Sequence, residues 1–174
     1  MHLICGPIAS RRASRGQSLV EFSLVLPVLL VLVLMAVDFG RAFYAWVTLT
    51  NAVRDAANYA GMNPGGSFGM GSTYNSIVLA DGLQGLRTVC MPLSASGQPI
   101  FSAAGIQQNP LPAPSFTDGS QDANTTPTDL GDRATVTLSC DFGVITPVIS
   151  SVIGSPIRVS AASTFTIRVG PYQP

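Results

Sequence analysis

The chain has 174 residues, nine basic and nine acidic, and a formal net charge of zero. That length accommodates one domain and an anchor, not two full domains. All basic residues are arginine, and beyond position 16 they are scattered, which excludes a nucleic-acid-binding patch.

The first sixteen residues form a short basic leader (1–16). Arg11, Arg12 and Arg15 precede a dense apolar run, and Glu21 is the only acid before Asp38. This is the positive-inside arrangement, which predicts a cytoplasmic N-terminus and an exported chain beyond the run. The run, Leu19–Val37, has nineteen residues. As a helix it measures about 28 Å, close to the thickness of a bilayer hydrocarbon core. We therefore expect a single-pass transmembrane segment over 17–38 and an exported domain over 39–174. Two rivals are weaker. A buried soluble helix finds no later segment with enough apolar surface to wrap it. A cleaved secretory signal is shorter and ends in a small-x-small site, which is not evident here. Pro27 inside the run predicts a local kink or loosening, which membrane helices tolerate.

The helical pattern continues past the membrane. Phe39, Phe43, Trp46, Thr50, Val53, Ala57 and Ala60 recur at spacings of three and four and form one expected packing stripe. Tyr44 and Trp46 fall where an aromatic belt meets the headgroups. Gly61 and Pro64-Gly65-Gly66 end the helix. From Leu19 to Ala60 the rod is about 63 Å long. Ser72 or Thr73 is placed to cap a second helix over Tyr74–Leu86, weakened by Gly82 and Gly85.

Residues 91–132 are rich in Pro, Gly, Ser, Asn and Thr and read as a long, partly mobile loop. Asp118, Asp122, Asp129 and Asp132 lack the spacing of a calcium loop and read as solvated. Asn124-Thr125-Thr126 matches a glycosylation sequon, a triplet common by chance. The C-terminal part changes period. Ala134, Val136, Leu138 and Cys140 alternate with polar residues. Ile157, Val159, Ala161, Phe165, Ile167 and Val169 fall on odd positions, with Arg158, Ser160, Thr164, Thr166 and Arg168 on even ones. Period two predicts two half-buried strands. An apolar connector, Val144–Val152, is broken by Pro147, and Gly154-Ser155-Pro156 makes a turn. The expected fold class is α+β: a long N-terminal transmembrane helix continuing into an amphipathic helix packed on a small antiparallel sheet.

Catalytic chemistry is missing from the pattern. The single histidine is His2, in the leader, and beyond the membrane segment there is neither His nor Glu. The aspartates form no close acid/base pair, and no phosphate-binding glycine motif occurs. We expect no enzyme, no cofactor, no metal and no small-molecule substrate. Cys5 lies before the apolar run, whereas Cys90 and Cys140 lie after it and share one side of the membrane. If that side is oxidising, Cys90 and Cys140 are available as an even pair, and we expect them to form a disulfide.

Glu21 is the one ionisable residue out of place. A carboxylate in lipid costs a few kcal/mol at the bilayer centre and less at its edge unless it finds a partner. Snorkelling to the interface is one resolution. Cleavage between Gly16 and Gln17 offers another: Glu21 becomes the fifth residue, and a new α-amino cation lies at the same membrane face. The amine of a neighbouring subunit then neutralises it. The cut removes Arg11, Arg12 and Arg15, so the mature side chains carry a net charge of −3.

The segment Arg15-Gly16-Gln17-Ser18-Leu19-Val20-Glu21-Phe22 resembles the processing site of type IV pilin-like proteins, where cleavage follows Gly and Glu is fifth. More specifically, RGQSLVEFSLVLPVLLVLVLMAVDFGRAFYAWVTLTNAVRDAANYAG resembles the TadE/TadG-like family of the tight-adherence pilus system. The shared order is GxxxxEF, a proline in the apolar run, Asp-Phe-Gly-Arg, aromatic pairs, and an Asn-x-x-Arg-x-x-Ala helix. The resemblance implies a pseudopilin: a minor, membrane-inserted, non-catalytic component that assembles or primes the pilus. Its implied processing site is Gly16 and Gln17, with Glu21 and Phe22 in subunit packing. Its implied partners are a prepilin peptidase, other pilin-like subunits and the membrane. The alternative reading is a single-pass membrane-anchored surface protein that binds a ligand or cell-wall component.

Overall fold

The computed structural model of the chain describes residues 14–119 and 128–168. His2, Cys5, Arg11, Arg12, Asp122, the Asn124 sequon and Val169, on all of which the sequence was read, lie outside these residues. The first described element is one helix of 49 residues, α1 (Ser14–Met62), and Pro27 lies within it. Its apolar half is exposed. No residue of its most apolar eighteen-residue window is buried by the rest of the chain. The upper half carries the domain.

Three short helical pieces follow without a break: α2 (Thr73–Val78), a π-helical turn over Leu79–Leu83, and α3 (Gln84–Leu86). The Ser72 side chain caps α2 by accepting from the Asn75 N–H at 3.2 Å. Gly82, at φ 91°, sits in the π turn, a backbone conformation that residues with a Cβ rarely adopt. The weakness that Gly82 introduces therefore widens the helix without ending it.

The sheet is built around β3 (Arg133–Phe142). On one side it pairs antiparallel with β4 (Ile157–Thr166) over its whole length, from Arg133 opposite Thr166 to Phe142 opposite Ile157. Two short strands share its other side. β1 (Cys90–Leu93) pairs with the Ser139–Phe142 half, and β2 (Ser115–Thr117) pairs with Arg133–Thr135. Period two holds in burial. Ala134, Val136, Leu138, Cys140 and Phe142 are buried, and the residues between them are not.

α1 packs against β3, β4 and the 73–83 helical segment. The face it buries differs from the expected stripe. Val53, Ala57 and Ala60 are buried as expected, but Phe39 is 75%, Phe43 56% and Trp46 49% exposed. In their place Ala45, Leu49, Ala52 and Ala56 are fully buried. Small side chains let the helix backbone approach the sheet, and bulky rings would hold it off. Ala52→Leu is therefore expected to destabilise the domain by about 1–3 kcal/mol through overpacking. Phe43→Ala is expected to stay within about 0.5 kcal/mol. Thermal unfolding of the full chain in detergent micelles reads both. The expected stripe predicts the reverse order.

The segment 91–132, read as a loop, is laid down firmly in its described parts. Bridges join Leu93 to Pro99 and Phe101 to Gln107, and Ile100, Phe101 and Leu111 are buried. Tyr74, fully buried, donates its hydroxyl to the Pro112 carbonyl at 2.8 Å, and Asn75 and Gln107 exchange two amide hydrogen bonds at 2.8 Å. Two of the aspartates read as solvated are not. Asp129 and Asp132 are buried. The Asp132 carboxylate accepts from the Gly119 and Asp129 N–H groups at 2.8 and 2.9 Å. Loop polarity concealed a role in tying backbone together.

Candidate functional site: the anchor and its upper clamp

The lower site is the start of α1. Gly16, Gln17, Val20, Glu21 and Leu24 line a shallow, open groove on the helix surface. Residues 17, 21 and 24 share a helical face by their spacing of four and three. Glu21 is exposed and makes no ion pair among the described residues. Phe22 is also exposed, one position round the helix. Among the described residues, and apart from Gly16's chain neighbours and its own helix backbone, no atom lies within 4 Å of where a Cβ on Gly16 would stand. Gly16 lies in the first turn of α1, so a protease that reads extended backbone must first unwind that turn.

At the other end of the apolar run is a buried charge. Asp38 is 5% exposed. One carboxylate oxygen accepts from the Ile145 N–H at 3.1 Å and faces the Arg41 guanidinium at 3.3 Å. The second accepts from the Thr146 N–H at 2.9 Å and from the Thr146 hydroxyl at 2.6 Å. Arg41 also donates to the Gly143 carbonyl at 3.4 Å and lies 5.3 Å from the Phe142 ring centroid. Asp38 and Arg41 thus hold the strand-to-helix turn 142–146 from a position one helical turn apart.

The turn pays for this locally. It leads into α4 (Pro147–Ile153), with Thr146 at the N-cap position and Pro147 in the first turn. A threonine there ordinarily caps its own helix. Here its hydroxyl is given to Asp38, and α4 has no side-chain cap. Pro147, expected to break the connector, instead begins a helix, because its fixed φ suits the first helical position.

The thiols lie apart from both sites. Cys90 and Cys140 are buried and joined by a disulfide with Cα atoms 5.5 Å apart, closing a separation of 50 residues. The bond ties β1 to β3 next to their paired register, in which Cys140 stands opposite Pro92. Among the described residues no group of His, Cys, Asp or Glu is placed to hold a metal ion.

The sequence reading singled out Gly16, Gln17, Glu21, Phe22, Cys90 and Cys140, and the structure places them in two separate regions. It missed the clamp of Asp38, Arg41 and Thr146. The available signal was energetic: an acid that directly ends a nineteen-residue apolar run is expensive unless paired.

These features describe one helix long and apolar enough to cross a membrane, running into a small α+β domain clamped to its upper half. Residues 16–58 match the model of a family described as TadE-like protein, the family that the sequence resembles over this stretch. The matched segment includes the Gly16–Glu21 groove, the apolar run and the Asp38–Arg41 pair. No curated protein and no solved structure matches the chain.

Proposed function

We propose that the chain is a minor pilin-like component, a pseudopilin, of a tight-adherence (Flp-type) pilus assembly and secretion system. It is structural and non-catalytic. It is anchored in the bacterial cytoplasmic membrane by residues 17–38, with its N-terminus cytoplasmic and its α+β domain extracytoplasmic. A prepilin peptidase cuts after Gly16, and neighbouring pilin-like subunits contact the freed helix.

The observation that carries this reading is Glu21, exposed and without an ion pair among the described residues, on an apolar run that the rest of the chain leaves unburied, inside the TadE-like match. A lone carboxylate at a membrane edge has a use when a neighbour brings a cation. The mature amine at Gln17 supplies one. Within one chain that amine stands about one turn from Glu21 along the same axis. A neighbouring copy or subunit offers better geometry.

Glu21→Ala is expected to leave the protein inserted, because a charge has been removed from lipid, yet to abolish pilus assembly. Membrane fractionation together with counting of surface pili checks both halves. Normal piliation in the variant would overturn the proposal.

A further inference from the structure

We propose that the segment from Val144 to Ile157, with α4 at its centre, is a second membrane contact. It seats on the bilayer surface on the domain's side of the anchor. The inference rests on the anchored reading of α1.

Three observations converge on this segment. The first is composition. From Phe142 to Ile157 there is no charged residue, and the flanking charges, Asp141 and Arg158, pair with each other at 3.1 Å. The second is exposure. Val152 is 79%, Ile153 60% and Ile145 56% exposed, although each is a large aliphatic residue in a short connector, and none of the described residues covers them. An apolar patch on a soluble surface ordinarily marks a contact.

The third observation fixes the occupant. The backbone of Ile145 and Thr146 is bonded to Asp38, so α4 is held at the level where the apolar run ends. Ile149 and Ile153 line an apolar groove with Phe39 and Met35 of α1. Met35 belongs to the apolar run and lies three residues, about 4.5 Å, below Asp38. The patch is therefore continuous with the lipid-facing surface of the anchor and dips below its upper edge. That depth suits an interfacial helix, whose apolar face reaches roughly 5–10 Å into the headgroup and acyl boundary. The charges at this level, Asp38 and Arg41, are bonded to each other and to the 143–146 turn, so neither opposes the contact.

A molecule held by one membrane span is free to tilt in the bilayer, its domain moving with the helix. A second contact at α4 fixes which face of the domain looks along the membrane and which looks away.

The test is fluorescence quenching on the full chain in phosphatidylcholine vesicles, with and without brominated acyl chains. Trp46 is the only tryptophan, so Trp46→Phe provides a silent background. Into it are placed Val152→Trp at the patch, Leu32→Trp in the anchor and Gln98→Trp in an exposed turn at the Leu93 end of β1. Gln98→Trp controls for the taste of tryptophan itself for interfaces. The expected result is that brominated lipid quenches Val152→Trp to within about a factor of two of Leu32→Trp, as shallow insertion requires, and leaves Gln98→Trp unchanged. Val152→Trp that is unquenched by brominated lipid and open to aqueous acrylamide overturns the proposal. Val152→Trp that is shielded from both overturns it in favour of a second protein copy on the patch. Loss of quenching at Leu32→Trp would instead overturn the anchored reading on which the proposal rests.

Discussion

Asp38→Ala is expected to release the 142–146 turn from α1 and to destabilise the domain by about 3 kcal/mol, the lower end of the cost of breaking a buried ion pair. The substitution orphans the Thr146 N–H and hydroxyl, and it leaves Arg41 facing Phe142 without its carboxylate. Arg41 keeps some access to water, with a quarter of its side chain exposed, and this is why the lower end applies. Asp38→Asn retains the shape but offers a single acceptor oxygen where two are used, so its loss should be smaller. Thermal unfolding of the full chain in micelles gives the order wild type, Asn, Ala. Limited proteolysis should show the first new cut in Gly143–Ser155. An Asp38→Ala protein as stable as wild type would remove the clamp from the account.

Replacing Cys90 and Cys140 by serine is expected to cost roughly 4 kcal/mol. In the chain-entropy model this is the worth of a bond that closes about fifty residues. β1 and β2 pair with β3 over only four and three residues. Without the bond, those pairings must close a long loop unaided. The two cysteines are fully or almost fully buried, so serine also brings two hydroxyls into the core. Cys90→Ala with Cys140→Ala separates the two effects and should recover part of the loss. Unreduced mass spectrometry of the wild-type chain is the companion measurement, and free thiols at both positions would contradict the structure.

How much of this was legible from the sequence depends on the kind of signal. The anchor and the paired strands announce themselves by period. A nineteen-residue run with only Glu21 and Ser23 polar leaves little else to be, and alternation over 157–167, interrupted only at Ala162 and Ser163, places one face inward. The length of α1 was legible too, because its pattern persists past the apolar run to Gly61. Its orientation was not. Apolarity alone favoured Phe39, Phe43 and Trp46 for the core, whereas close packing against a sheet selected Ala45, Ala52 and Ala56. Volume decided the contact, and a hydrophobic count does not register volume.

β1 and β2 were hidden for a different reason. Four and three residues long, with prolines in or near them, they are strands only because β3 offers an edge. Asp132 was misread because a carboxylate in a polar loop looks solvated until the backbone donors it collects are seen. The clamp was half legible. Asp38 stood out by position, but Thr146, more than a hundred residues away, could be found only in three dimensions.

The lower site is the reverse case. Gly16 and Glu21 carry meaning through a motif, and among the described residues Glu21 makes no ion pair and Gly16 has open space beside it. In the proposed function their role belongs to encounters with a peptidase and with neighbouring subunits. N-terminal sequencing of the membrane-bound protein, from a host with an active prepilin peptidase, tests the central claim most directly. The mature chain is expected to start at Gln17, and the chain to stay uncut when Gly16→Leu blocks close approach to the backbone. A membrane form that retains the residues before Gly16 in that host would contradict it.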